Sequence, residues 1–218
     1  MSHETESSTA RSRATPSRVR MTGKQRREQL LDIGRALFAE RGFDGTSIEE
    51  IASRAKVSKP VVYEHFGGKE GLYAVVVDRE MEQLLDRVTS ALRSPAHPRT
   101  VLEHAALSLL DYIETSTDGF RILVRDSPVA QSTGGFASLI SDAASQVEHI
   151  LAAQFKERGF EPKLAPMYAQ MLVGMVALTG QWWLEVRKPK KADVAAHLVN
   201  LAWNGLAGLE GKPRLADS

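Results

Sequence analysis

The fold of this chain is decided by the stretch TSIEEIASRAKVSKPVVYEHFGGKEGL, which runs from Thr46 to Leu72. It contains two short helical patterns separated by a tight turn. Thr46 is predicted to cap the first helix, because Glu49 three residues later completes a Thr-x-x-Glu capping box. Ser58 is predicted to cap the second, with Pro60 in the first turn, where a missing N–H costs little. Two short helices joined in this way are the layout of a helix-turn-helix, whose second helix enters the major groove of DNA.

This stretch also resembles one known family. The residues that carry the resemblance are Thr46, Ile51-Ala52, Ala55, Val57-Ser58, Tyr63, His65-Phe66, Lys69-Glu70 and Leu72. On these residues the chain is similar to the tetracycline-repressor (TetR) family of one-component bacterial transcription regulators, from about Arg26 to Val77 without a gap. Lys56 stands where that family usually has Gly at the turn. Because Gly reaches positive φ without strain and Lys does not, a strained turn is expected at Lys56.

Composition sets broad limits on the function. The 218 residues are 43% hydrophobic and 25% charged, as in an ordinary soluble globular protein. The formal net charge is only +1, so bulk charge by itself does not indicate a nucleic-acid binder. Cys is absent, which excludes disulfides and Cys nucleophiles and fits a reducing cytosol. No secretory signal is recognisable, and the longest apolar run, 171–178, is far shorter than the ~20 residues of a membrane span. We expect a cytoplasmic protein without a membrane partner.

The rest of the chain is predicted to be helical, giving an all-α fold of about nine helices. A capping box formed by Thr22 and Gln25 begins the first helix. The string Arg41-Gly42-Phe43 ends it, with Phe38 and the following Phe in the contact of a Schellman motif, and the string 155–160 repeats this stop signal. Later helices are predicted at 69–93, 100–115, 118–125, 136 to the second stop, 166–186 and 192–209, with a loop at 127–135.

The predicted domains follow from these patterns. Residues 1–21 are a disordered basic arm, either a solvated tail or an arm that contacts phosphates or the minor groove. Residues 22–68 form the DNA-binding domain, with the helix-turn-helix at about 47–66. Residues 69–210 form a ligand-binding and dimerisation domain, and 211–218 a C-terminal tail. Because three short helices bury little core, we expect them to lean on the fourth, which then belongs to both domains.

Candidate DNA contacts lie on the outward face of the helix-turn-helix. Lys59 could donate to guanine O6 or N7, and Pro60 or Val61 could touch a thymine methyl, because the N-terminal end of a recognition helix usually reads the bases. The resemblance, together with the helix N-termini, adds phosphate contacts at Thr46, Ser47, Ser58, Tyr63, His65 and Lys69. The alternative for Tyr63 and His65 is that they fill gaps between helices.

Candidate ligand contacts are sought in the second domain. A stripe of Met and aromatic residues in the helix at 166–186 is either plain core or the lining of a cavity, because Met adapts to irregular partners. The candidate set is Tyr112, Phe120, Arg121, Phe136, Met171, Met175 and Trp182. It predicts an apolar or amphipathic effector, although Arg121 could equally be an ordinary surface residue. His97, His104 and Asp111 are spaced by seven, or about 10 Å along a helix, which is too far for one metal. No metal or cofactor is predicted.

The last two helices offer more apolar surface than one small bundle needs, and such an excess marks an interface. In the TetR family these helices pair with their copies in a four-helix contact. The candidate dimer residues are Trp183, Leu198, Val199, Ala202, Gly205 and Leu206. A two-fold protein of this kind would bind the two half-sites of a near-palindrome, so a homodimer is expected.

Three functions are compatible with these patterns. The leading one, by resemblance, is a ligand-responsive DNA-binding regulator, most often a repressor. The second is an all-α enzyme, for which the chain offers no Cys, no metal-spaced His pair and no acid–base constellation. The third is a helical interaction protein whose helix-turn-helix binds a protein. The sequence identifies neither the effector nor the operator.

Overall fold

A computed structural model describes residues 21–125 and 135–215, and across these ranges every regular element is helical. The all-α prediction is confirmed. The α-helices, numbered within this part of the chain, are α1 Gly23–Arg41, α2 Ile48–Ala55, α3 Lys59–Phe66, α4 Lys69–Leu92, α5 Pro98–Thr115, α6 Thr117–Val124, α7 Gly135–Glu157, α8 Ala165–Val186 and α9 Lys191–Ala207, with a 3-10 turn at Pro162–Leu164. The predicted arm at 1–21 and loop at 127–135 lie, but for one residue each, outside the described ranges. In these ranges no helix is long and apolar enough to cross a membrane.

The two ends of α1 are fixed by local contacts at the positions that the sequence predicts. The Thr22 N–H donates to Gln25 Oε1 at 2.9 Å and the Gln25 N–H to Thr22 Oγ1 at 3.2 Å, so the predicted capping box is confirmed. At the other end Gly42 takes φ 76°, and its N–H donates to Phe38 O at 2.9 Å. The Phe38 and Phe43 rings stack with centroids 6.4 Å apart. Gly42 is therefore needed for its backbone conformation.

The second stop signal ends α7 with the predicted Schellman bonds, whereas at Gly42, where ψ is 178°, the bond described is the single one to Phe38 O. Phe160 N–H donates to Phe155 O at 2.8 Å and Gly159 N–H to Lys156 O at 3.3 Å, which is the bond pair of a Schellman motif. The Phe155 and Phe160 rings lie 5.7 Å apart. The two similar strings thus each end a helix and bring two Phe rings together, but the Schellman prediction is confirmed for the second and wrong for the first.

The first three helices pack on α4. Gly34 allows α1 and α4 to approach closely, since a Cβ there would lie 2.9 Å from Leu72 Cδ2. Val62 of α3 and Leu72 of α4 are both fully buried in this contact region. One hydrophobic core continues from these helices into the second domain, along α4. This arrangement matches the expectation that the small bundle leans on α4.

The second domain is built around the same helix. α4 packs against α5, α6 and α7, α5 packs against α9, and α7 packs against α8. A smaller cluster of buried residues closes the far end between α7 and α8. α4 therefore lies between the helix-turn-helix and most of the second domain.

Candidate DNA interface and ligand cavity

The first helix of the helix-turn-helix begins one residue later than predicted. Its N-cap is Ser47, whose Oγ accepts the Glu50 N–H at 3.2 Å, so the capping box assigned to Thr46 is wrong. Thr46 is only 2% exposed, and its hydroxyl donates to Gly42 O at 2.8 Å. That bond satisfies a carbonyl at the end of α1, which turns the Thr46 hydroxyl away from solvent. Ser47, by contrast, is exposed at the N-terminus of α2.

The turn between α2 and α3 carries the expected strain. Lys56 has φ 54° and ψ 46°, the left-handed conformation that Gly adopts more easily. Lys56 N–H donates to Ser53 O at 3.1 Å and Val57 N–H to Ala52 O at 3.0 Å, which together form a Schellman motif. A Lys in this conformation costs about 1–2 kcal/mol. α2 thus ends in a Schellman motif even though a Lys occupies the left-handed position.

The recognition helix α3 is placed as the sequence predicts. Ser58 occupies the N-cap position, although its side chain makes no capping hydrogen bond, and Pro60 lies in the first turn. Val62 is fully buried, whereas Tyr63 is 53% exposed, which contradicts the alternative that Tyr63 fills a gap. His65 is half-buried beside Phe66, with ring centroids 6.1 Å apart. Its position is therefore compatible with packing between helices as well as with a phosphate contact.

The outward end of α3 is polar. Ser58, Lys59 and Pro60 are exposed, and Val61 is half-buried against the core. The Lys59 ammonium pairs with the Glu49 carboxylate of α2, and this hydrogen bond lowers the pKa of Glu49 below its usual value. Lys59, the residue predicted to contact a base, is therefore already in an ion pair with Glu49.

Lys69, the other predicted cation, lies at the start of α4. Its Nζ donates to Phe43 O at 3.1 Å and stands 4.2 Å from the centre of the Phe43 ring. The side chain is half-buried, and an ammonium has two further donors. Lys69 thus ties α4 to the loop between α1 and α2.

A wholly apolar cavity of about 110 Å³ lies between α4, α5, α7 and α8. Its lining includes Leu84, Val88, Leu109, Phe136, Leu139 and Val176. Of the seven predicted ligand residues, Phe136 is the member that the structure places on this wall. Tyr112 and Phe120 are fully buried behind it, with the Phe120 and Phe136 rings 5.8 Å apart.

The other four predicted ligand residues lie elsewhere. Met171 and Trp182 are 56% and 51% exposed on the outside of α8, Met175 is half-buried in the core, and Arg121 lies 4.0 Å from Asp118. None of these four lines the cavity. Helical spacing shows that residues share a face, and it does not show which way that face turns.

A groove of about 750 Å³ adjoins the cavity. The two spaces share four apolar side chains, namely Leu92, Leu102, Val147 and Leu172. The groove also has polar side chains along its wall, including His97, Gln154 and Arg158. Cavity and groove are therefore neighbouring parts of one recess, of which the cavity is lined by apolar residues and the groove by apolar and polar ones.

The predicted dimer residues divide into two groups. Trp183, Leu198, Val199 and Ala202 are at most 7% exposed within the single chain, so they belong to its own core. Gly205 is exposed and Leu206 half-buried. Six large hydrophobic side chains on α8 and α9 are exposed, namely Met167, Met171, Leu178, Trp182, Val186 and Leu201.

A buried charged cluster joins the two domains, and the sequence reasoning missed it. Glu80 of α4 is 3% exposed; its Oε1 accepts from Arg35 Nε of α1 at 2.7 Å, and its Oε2 from the Tyr112 hydroxyl of α5 at 2.6 Å. Burial and the Glu80 carboxylate raise the pKa of Tyr112 far above its usual value. The signal was present, since Glu80 lies at helical spacing between the inward residues Val76 and Leu84. A charge on an inward face requires a partner.

A second polar contact holds the same junction. Arg125, at the end of α6, donates from Nη1 to Ala39 O at 2.8 Å, near the end of α1. A Cβ at Gly119 of α6 would lie 1.7 Å from Glu80 Oε2, so α6 passes directly over the cluster. Arg35, Glu80, Tyr112 and Arg125 thus tie α1 to α4, α5 and α6.

Comparison with known proteins agrees with this architecture. Residues 30–76 match the family described as bacterial regulatory proteins, tetR family, and residues 87–216 match the tetracyclin repressor-like C-terminal domain. The chain is 32% identical over 190 residues to the HTH-type transcriptional activator FasR of Mycolicibacterium smegmatis, covering 86% of each protein. It is 33% identical over 181 residues to an HTH-type transcriptional repressor of Mycobacterium tuberculosis, covering 77% of this chain and 88% of the relative.

Solved structures show the same fold. A TetR-like transcriptional regulator from Rhodococcus sp. RHA1 superimposes with a TM-score of 0.70 at 25% identity, covering 87% of this chain and all of the other. The family match spans both the helix-turn-helix and the second domain. The chain therefore belongs to the TetR family of bacterial regulators and is a DNA-binding transcriptional regulator.

Proposed function

We propose that this regulator acts as a homodimer in the cytoplasm, binds a near-palindromic operator and is released from it by an apolar or amphipathic small molecule. The observation that carries the proposal is the position of α4, which contacts the helix-turn-helix at one end and lines the apolar cavity further along. We propose repression, because a dimer that covers an operator excludes polymerase without a further contact. No catalytic step forms part of the proposal.

The proposed base contacts are made by the exposed tip of α3. Lys59 donates to guanine, and Pro60 or Val61 contacts a thymine methyl. The proposed phosphate contacts come from Ser47, Ser58, Tyr63, His65 and Lys69, with the N–H groups at the start of α2. Exposure of Ser47, Ser58 and Tyr63 supports this assignment, whereas the inward hydroxyl of Thr46 argues against a phosphate contact by its side chain.

The proposed dimer contact is the uncovered apolar face of α8 and α9. Met167, Met171, Leu178 and Trp182 recur at helical spacing on α8, and Leu201 of α9 is 65% exposed. Gly205 leaves open space beside α9, which allows another helix to approach closely. Contiguous exposed side chains of this size favour burial against a partner, and a two-fold partner presents the same residues in return.

The proposed effector is elongated. The cavity of about 110 Å³ is smaller than the ~150 Å³ engineered cavity that accommodates benzene. An effector that fills only this cavity would therefore be very small. The adjoining groove of about 750 Å³ gives room for the rest of the molecule. We propose an apolar tail in the cavity and a polar end near His97, Gln154 and Arg158.

The proposed signal passes through α4. Leu84 and Val88 contact the cavity, and Glu80, one turn earlier, holds Arg35 of the DNA-binding domain. A tail that enters the cavity displaces this helix, which changes the separation of the two recognition helices in the dimer. Because the half-sites have a fixed spacing, contacts are lost on both sides together. The ligand acts through its different affinity for the two arrangements.

A gel-shift experiment tests this proposal. The full-length protein is incubated with promoter DNA of its own gene and of neighbouring genes. We expect one retarded species that contains two protomers and requires a near-palindromic sequence. Failure to bind any of these DNAs above a scrambled duplex would favour the protein-interaction or enzyme alternatives.

A further inference from the structure

Glu49 is an acidic residue beside the exposed tip of the recognition helix. It lies in the first turn of α2, is 61% exposed, and pairs with Lys59 at the start of α3, which is 53% exposed. The adjacent Glu50 instead pairs with Arg41 and Arg54. A carboxylate beside the tip of a recognition helix is repelled by DNA phosphates, so it weakens binding unless it performs a task there.

We propose that Glu49 is a positioning residue for sequence recognition, because it holds the Lys59 ammonium at the tip of α3. From this position the ammonium binds a base edge while the ion pair stays intact. It reaches a phosphate only when the ion pair breaks. The inference deepens the proposed function, because it rests on Lys59 as a base-reading residue. It assigns to Glu49 a role that the resemblance does not supply.

Donor counting supports the first half of this inference. An ammonium has three N–H donors, so the bond to Glu49 leaves two for guanine O6 and N7. Base reading therefore does not require Lys59 to leave its partner. The carboxylate also reduces the conformational freedom of the flexible Lys stem before DNA is bound, and less ordering entropy is then lost in the specific complex.

In a non-specific complex the ion pair between Lys59 and Glu49 has a different effect than in the specific one. A free Lys on its four-carbon stem follows whichever phosphate is near, whereas a Lys tied to Glu49 must give up the ion pair to do so. The loss of an exposed pair corresponds to a factor of up to about five in affinity, and two protomers multiply this to at most roughly 25. If the pair broke in both kinds of complex, its cost would cancel and Glu49 would not change discrimination.

The first experiment compares the wild type with Glu49→Gln as full-length proteins. A preferred duplex is obtained by binding-site selection, and the affinities for it and for a scrambled duplex are measured over a range of salt. We expect Glu49→Gln to bind the scrambled duplex several-fold more tightly and to gain less on the preferred one. The salt slope on the scrambled duplex should steepen by roughly 0.9 for each freed Lys, or about 1.8 per dimer.

A matched control separates this effect from bulk charge. Glu40 pairs with Arg41 and Arg54, away from Lys59, so Glu40→Gln removes the same charge from another ion pair. We expect it to leave the ratio of the two affinities close to that of the wild type. Thermal unfolding of both variants shows whether each is folded. Equal tightening of both duplexes by Glu49→Gln would overturn the inference.

The Lys59→Ala background decides between failure of the inference and failure of the proposed function. With Lys59 absent, Glu49→Gln should no longer alter the affinity ratio. An equal effect in both backgrounds would show that Glu49 acts as a bulk charge and not through Lys59. If Lys59→Ala itself leaves the selected sequence unchanged, Lys59 does not read bases, and both the base-reading proposal and the role of Glu49 are refuted.

Discussion

The buried Glu80 cluster leads to a specific stability prediction for Tyr112→Phe. The substitution removes one hydroxyl and leaves the aromatic ring, so it creates almost no cavity. The hydroxyl donates to Glu80 Oε2 at 2.6 Å, and Glu80 is only 3% exposed. After the change, Arg35 still donates to the carboxylate, at 2.7 Å to Oε1 and 3.4 Å to Oε2.

The size of the effect follows from the charge on the acceptor. A hydrogen bond to a charged group contributes about 1.5–3 kcal/mol, and a buried acceptor that loses its donor keeps its desolvation cost. We therefore expect the free energy of unfolding to fall by about 2 kcal/mol. For a chain of this length, each kcal/mol lowers Tm by roughly 2–4 °C, so a loss of about 2 kcal/mol predicts a fall of roughly 4–8 °C.

Scanning calorimetry and chemical denaturation measure this change, with Tyr73→Phe as the matched control. Tyr73 is 2% exposed, and its hydroxyl has no hydrogen-bond partner among the contacts described for residues 21–125 and 135–215. Its loss should change stability by less than about 0.5 kcal/mol. Equal effects of the two substitutions would show that the Glu80 cluster does not stabilise the junction between the domains.

Three further predictions follow from other parts of the molecule. Lys56→Gly should raise the free energy of unfolding by roughly 0.5–1 kcal/mol, because relief of the left-handed strain exceeds the added freedom of the unfolded chain. Chemical denaturation measures this change, and a loss of stability would show that Lys56 is not strained. Trp182→Glu should shift the protein from dimer to monomer in sedimentation without unfolding it, and an unchanged dimer would place the interface elsewhere. Deletion of residues 1–20 should flatten the salt dependence of DNA binding by roughly 0.9 for each lost phosphate contact, whereas an identical slope would leave the arm as a tail.

Most of the fold could be predicted from the sequence because its signals are local. Helix ends such as the Thr22 capping box and the stop at Gly42 depend on residues within one turn, and the structure confirms the capping box and the position of the stop, although not the Schellman bonds predicted there. The one-residue error at Thr46 arose because two neighbouring hydroxyl residues, Thr46 and Ser47, are each followed three positions later by Glu. Only the tertiary contact of Thr46 with the end of α1 distinguishes them.

The ligand and dimer surfaces were harder to predict because both depend on the side that each helix face turns to. α8 is apolar over most of its circumference, so periodicity could not tell that Met171 and Trp182 face outward while Trp183 faces the core. The cavity required the packing of four helices. Glu80 could have been found, since a charge within an inward stripe is itself a signal of a buried partner.

Signalling through α4 is tested most directly by the linkage between effector binding and operator binding. An amphipathic compound is first identified by thermal-shift screening, and its affinity is then measured by calorimetry with and without the selected operator. Because linkage is reciprocal, operator DNA should weaken binding of the compound by the same factor by which the compound weakens operator binding. Cavity-wall substitutions such as Leu84→Phe should reduce its affinity in both states. An affinity for the compound that is unchanged by operator DNA would contradict signalling through α4.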